Sequence, residues 1–135
     1  LANSRFAHEY QKSAVNGASP LHLVIMLYDG GLRFMEAGRH AIVAKDLTKQ
    51  NDYIQRAQKI IMELMACLDI DKGKEVATNL LSLYSYVLNE LVLANMNDDI
   101  APIDRAIRVM SDLRESWSQL ESSMKSATFE ADKAA

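Results

Sequence analysis

The chain has 135 residues, 49% of them apolar and 24% charged, which is material for one buried core and too apolar for a disordered chain. Five Gly and two Pro are too few for a turn-dense β-sandwich. A formal charge of −3 offers no overall attraction to phosphate backbones or anionic lipid, so nucleic acid is not expected as a partner; the acidic excess falls in 98–135, with eight acidic against five basic side chains. A single cysteine, Cys67, excludes an intrachain disulfide and a multi-cysteine metal site and fits a reducing compartment. The longest apolar run, Leu23 to Tyr28, is far short of the ~20 residues of a membrane-spanning helix, so no membrane insertion is expected. Ser4, Arg5, His8 and Glu9 interrupt any signal-peptide pattern, and the chain opens on Leu1 rather than Met, which leaves the native N-terminus open.

In chain order, residues 1–18 read as a mobile cap segment in which Phe6, Tyr10 and Val15 are apolar in a polar setting, with scope for a short helix before Gly17. Ser19-Pro20 then starts the first long helix, because Ser accepts from free backbone N–H groups and Pro has no N–H to leave unpaired. Val24, Leu27, Tyr28, Gly31, Met35 and Ile42 recur at three- and four-residue steps, while Leu23, Ile25 and Phe34 make this helix apolar over more than half its girth. Tyr53, Ala57, Ile60, Ile61, Leu64 and Leu68 mark a second helix, and Val76, Leu80, Leu83, Tyr84, Val87 and Leu91 a third. Pro102, Ile103, Ala106, Met110, Leu113, Trp117, Leu120 and Met124 mark a fourth, capped by Asp98 or Asp99, with Asp104–Arg108 and Glu121–Lys125 as acid-first pairs four apart. The segments cover 20–45, 50–68, 74–96 and 99–124, and links of a few residues force antiparallel neighbours. The predicted fold is all-α, an antiparallel up-down four-helix bundle over 19–125, followed by a flexible tail at 126–135 that frays or extends the last helix.

Catalysis finds no foothold in these residues, and no cofactor or metal is expected. A di-iron bundle needs Glu-x-x-His on two helices, and the chain has none; Glu36 and His40, four apart, read as a surface pair. His8 and His22 have no partner in sequence that would make a general base. Cys67 reads as a buried, unreactive thiol, and Asp69 and Asp71 as cap and turn residues before Gly73. Gly30-Gly31 lie inside a helical stripe, not in a strand-to-helix phosphate loop.

What remains is surplus apolar surface and seven methionines, among them Met26, Met35, Met62, Met65 and Met110, whose flexible thioethers suit either core filling or an irregular guest. Trp117 reads as a core anchor, and Tyr10 either as a fixed packing residue or as an aromatic that docks on a groove and leaves it. The string Tyr10-Gln11-Lys12, Ala18-Ser19-Pro20-Leu21 and Met26-Leu27-Tyr28-Asp29-Gly30, with Ala57-Gln58-Lys59-Ile60-Ile61 and Glu63-Leu64, resembles the flagellar secretion chaperone family FliS. Leu68-Asp69, Asn79-Leu80, Leu83-Tyr84-Ser85-Tyr86, Leu91, Ala94-Asn95 and Leu113-Arg114 to Trp117 follow in the family's order, so the likeness covers about residues 8–120. The resemblance implies a cytoplasmic export chaperone that binds the disordered C-terminal region of flagellin, prevents early polymerisation and delivers it to the type III export apparatus. An export-gate component is an additional expected partner, and the free protein is expected to be a monomer or weak dimer. It further implies that the N-terminal segment covers a groove until the client displaces it, giving Tyr10 and Val15 a gating role. Leu21, Ile25, Met26, Tyr28 and Leu32 of the first helix, with Leu80, Tyr84 and Leu88 of the third, are the expected groove or groove-supporting residues. The rival reading is a structural or homo-oligomeric bundle whose surplus apolar surface is covered by another copy of itself.

Overall fold

A computed structural model describes residues 19–134 as four helices: α1 (Pro20–Val43), α2 (Leu47–Ala66), α3 (Ile70–Asn97) and α4 (Ile100–Ala134). Each helix start has a local cause. Ser19 Oγ accepts from His22 N at 3.1 Å, Asp46 Oδ1 from Lys49 N at 3.1 Å, and Asp69 Oδ1 from Lys72 N at 3.1 Å, each satisfying one otherwise free donor. At the junction of α3 and α4 the two adjacent aspartates divide the work. Asp98 ends α3 in the left-handed conformation, with φ 51°, and Asp99 accepts from Ala101 N at 3.1 Å to open α4. Positions 126–134 continue α4, the second of the two courses expected for the tail, since no Gly or Pro interrupts Ser126 to Ala134 and Thr128 Oγ1 bonds back to the Met124 carbonyl at 2.9 Å.

α1 packs on α2 and α4, and α3 packs on α2 and α4, which closes a square of four antiparallel helices. Its interior is the stripe of three- and four-residue steps: Tyr28, Met35, Ile54, Ile61, Leu64, Tyr84, Val87, Leu91, Ile103 and Met110 are buried almost completely. Trp117 is half-buried against this core. α1 and α2 approach most closely where α1 has glycine. A Cβ at Gly38 would lie 3.0 Å from Ile54 Cγ1, and one at Gly31 would lie 3.3 Å from Ile60 Cγ2. Ile54 is fully buried and has no free direction in which to yield, whereas Ile60 is only partly buried. Gly38→Ala is therefore expected to lose about 1 kcal/mol, overpacking outweighing the gain in helix propensity, and Gly31→Ala to be near neutral; urea denaturation of both variants checks the contrast.

The seam between α1 and α4 is polar and ordered. Arg39 Nε donates to Asp104 Oδ1 at 2.6 Å, Arg114 Nε to Asp29 Oδ1 at 2.6 Å, and His22 Nδ1 lies 3.0 Å from Glu121 Oε2. Two sequence expectations change here. Asp104 pairs with Arg39 across the seam instead of with Arg108 along its own helix, and His22 has a partner that lies ninety-nine residues away and was invisible locally. Glu121–Lys125 stands at 3.7 Å, a loose exposed contact of little energetic weight.

Across the diagonal of the square, the hydroxyls of Tyr28 on α1 and Tyr84 on α3 share a buried hydrogen bond of 2.6 Å. Burial pushes both phenols above the usual tyrosine value of 10.0; for Tyr84 the neighbouring Tyr28 adds to the rise, whereas the hydrogen bond to Tyr84 partly offsets it for Tyr28. A neutral phenol that is harder to ionise folded than unfolded contributes stability in full below pH 10 and loses it as pH climbs toward the raised folded values. Alkaline titration at 295 nm is thus expected to show Tyr28 and Tyr84 ionising only as the bundle unfolds, with stability falling above pH 10.

Candidate client-binding face

Of the residues expected at a groove, Tyr10 and Val15 lie outside the described residues. Leu21, Leu32 and Leu88 are half-buried, and Met26 is exposed. Ile25, Tyr28, Leu80 and Tyr84 are buried, with the Tyr28 and Tyr84 hydroxyls hydrogen-bonded to each other, so of the groove or groove-supporting roles expected for them these positions fit support from beneath and not direct contact. Leu32 borders a shallow, open depression with Asp29, Arg33 and Glu36, so three of the four side chains around it are charged. The methionines divide in the same way: Met35 and Met110 fill the core, while Met26, Met62, Met96 and Met124 face outward.

Cys67 corrects another expectation. It is exposed at the end of α2, not buried, yet desolvation and the neighbouring Glu63 carboxylate push its thiol up, which disfavours the reactive thiolate. Glu36 and His40 are both exposed, and among the described residues no group of three His, Cys, Asp or Glu side chains is placed to hold a metal ion.

The apolar surplus is concentrated instead on the outward side of α3. Val76 is 65% exposed, Leu83 37%, Tyr86 40%, Val92 43%, Leu93 41% and Met96 72%, values far above those of the inward stripe on the same helix. Between Val76 and Asn97 the only charged side chain is Glu90, and it is neutralised: Arg105 Nε donates to Glu90 Oε2 at 2.6 Å, with the carboxylate side chain only 10% exposed. The positions between the large apolar residues are Thr78, Asn79, Ser82, Ser85 and Asn89, all exposed and uncharged. The face is thus a neutral strip about 30 Å long, at 1.5 Å per residue. Tyr86 lies next to Arg105, and from there Val109 and Leu113 follow along α4 at about one-turn steps, half-buried against the core.

α3 is the one helix among the described residues long and apolar enough, by length and composition, to cross a membrane, with a third of its most apolar window buried. Its buried stripe on α2 and α4 and its Glu90–Arg105 pair account for the inner half of that apolarity as bundle core. Among the described residues, nothing packs over the large side chains on its outer side, which remain 37–72% exposed. Exposed apolar surface without charge makes this side of α3 the candidate interaction face.

A family model described as flagellar protein FliS matches residues 2–124. The chain belongs to the FliS family. Flagellar secretion chaperone FliS of Salmonella typhimurium is 34% identical over 116 residues, covering 85% of this chain and 86% of its own length. The Bacillus subtilis flagellar secretion chaperone FliS is 33% identical over 110 residues, covering 82% and 81%, and that of Campylobacter jejuni is 32% identical over 120 residues, covering 89% and 94%. These FliS relatives are named as chaperones, not enzymes, and a chaperone role in flagellar export carries with it a protein client. The FliS match starts ahead of α1 and ends where α4 passes the bundle, so it covers the whole α3 face.

Proposed function

We propose that this chain is a cytoplasmic chaperone that binds the disordered C-terminal region of flagellin, keeps it from polymerising early and delivers it to the flagellar type III export apparatus. The uncharged outward face of α3 carries the proposal. An amphipathic helix anchors by side chains at i, i+3, i+4 and i+7, and Leu83, Tyr86 and Leu93 are spaced at three and seven residues along one side of α3. A client that folds as it binds gives up chain entropy, which a long contact offsets better than a compact pocket. Met26 on α1 and Met62 on α2, both outward-facing, offer further adaptable contacts to a client that wraps beyond α3. In this reading Tyr10 and Val15 belong to a segment that covers the client surface and yields to it, and an export-gate component meets the loaded complex.

Isothermal calorimetry of the full chain with a synthetic peptide of the flagellin C-terminal region tests the assignment. One-to-one binding with added helical circular dichroism is the expected result; no heat and no added helix would overturn it. Light scattering across a dilution series addresses the competing self-association reading, in which a second copy covers the α3 face and the peptide finds no site.

A further inference from the structure

The corner between α2 and α3 contains a backbone anomaly that neither the fold nor the client face requires. Lys74 has φ 51° and ψ −123°, a conformation natural to glycine and strained for a residue with a side chain, and it interrupts α3 after one turn. Glycine stands one position earlier, at Gly73, and does not take that conformation. In its present position Gly73 is irreplaceable for another reason: a Cβ there would lie 2.6 Å from Ala77 Cβ. Its N–H donates to the Asp69 carbonyl at 2.7 Å, closing the single turn that Asp69 caps.

We propose that this corner is a two-position joint in which the kink moves between Lys74 and Gly73. With the kink at Gly73, glycine takes the positive φ at no steric cost and Lys74 joins the helix, while the reoriented 73–74 peptide takes one backbone hydrogen bond from the short turn. Relief of one strained residue and loss of one hydrogen bond are changes of similar size and opposite sign, so the two arrangements lie close in free energy. The mobile part is the short turn with Ile70, which is exposed; from Ala77 onward the inward stripe of α3 is held in the core. Val76, at one end of the uncharged face, lies two residues beyond the kink, so the joint gives that face an adjustable margin.

Relaxation-dispersion NMR on the uniformly ¹⁵N-labelled full chain tests the joint, because exchange between such states falls on the microsecond-to-millisecond scale. Exchange is expected at amides 69–77 and not along the rest of α3. Lys74→Gly removes the strain, favours the present kink and is expected to reduce the minor population by about tenfold, the effect of about 1.4 kcal/mol. Lys74→Ala keeps a Cβ at the strained position and is expected to retain the exchange, which separates backbone strain from any role of the lysine charge. A corner with no exchange, exchange unchanged in Lys74→Gly, or exchange lost equally in Lys74→Ala would each overturn the joint.

Discussion

Changing Leu83 and Leu93 together to glutamate is expected to weaken binding of a flagellin C-terminal peptide by about a hundredfold or more, while the thermal melt of the free protein stays within a few degrees of the parent. Leu83 is 37% and Leu93 41% exposed, and neither belongs to the buried core, so an added carboxylate there can reach water in the free bundle. In the complex the same carboxylates would have to be desolvated against an apolar helix, on a strip whose only native charge, Glu90, is already neutralised by Arg105. Loss of a single anchoring side chain at an interface costs about 2 kcal/mol or more, and two anchors on one strip with added charge exceed the tenfold that each 1.4 kcal/mol represents. Calorimetric titration of the double variant, with a melt recorded on the same sample, reads both parts. Full affinity would place the client elsewhere on the bundle; lost affinity together with a collapsed melt would make the α3 face a packing surface.

The second large effect is structural. Leu64→Ala is expected to destabilise the bundle by about 2–5 kcal/mol and to lower its melting temperature by roughly 10–20 °C, because a side chain 2% exposed leaves a cavity that its neighbours close only in part. Leu64 belongs to the shared core that α2 forms with the other three helices, so the loss is felt by the whole bundle. Urea denaturation with an unchanged slope and a lowered midpoint is the expected signature; a changed slope would report an altered denatured state.

The fold was legible because its causes are local. Ser19-Pro20 announces α1, and the inward stripes of all four helices follow the three- and four-residue spacing that burial imposes. Asp46 escaped notice as the α2 cap because the sequence around it offers several polar residues, and only the backbone shows which one accepts from Lys49. The candidate binding face was harder, for a physical reason: periodicity detects the buried side of a helix, so Tyr28, Leu80 and Tyr84, taken from the stripe, lie beneath the surface and not on it. Val76 and Leu83 were read into that same stripe although the structure turns both outward. The signal that could have separated them is compositional, since a surface helix of this length normally carries charge on its wet side and α3 has none that is unpaired between Val76 and Asn97. The ion pairs of the α1–α4 seam were illegible for the opposite reason, each joining residues 65 to 99 apart in the chain.

That seam also limits how the molecule can yield. Along α1 the partners run His22, Asp29, Arg39, and along α4 they run Glu121, Arg114, Asp104, so acid and base alternate from rung to rung. Sliding α1 by two turns would bring Asp29 against Glu121, and sliding it by three would bring Arg39 against Arg114, so these two slips meet repulsion. A guest pressing on the bundle therefore finds one side keyed like a lock and the opposite corner, α3, plain and permissive. If the proposed client seats on α3, drift in its sequence can be followed by changes on that plain side alone, with the keyed side left as it is.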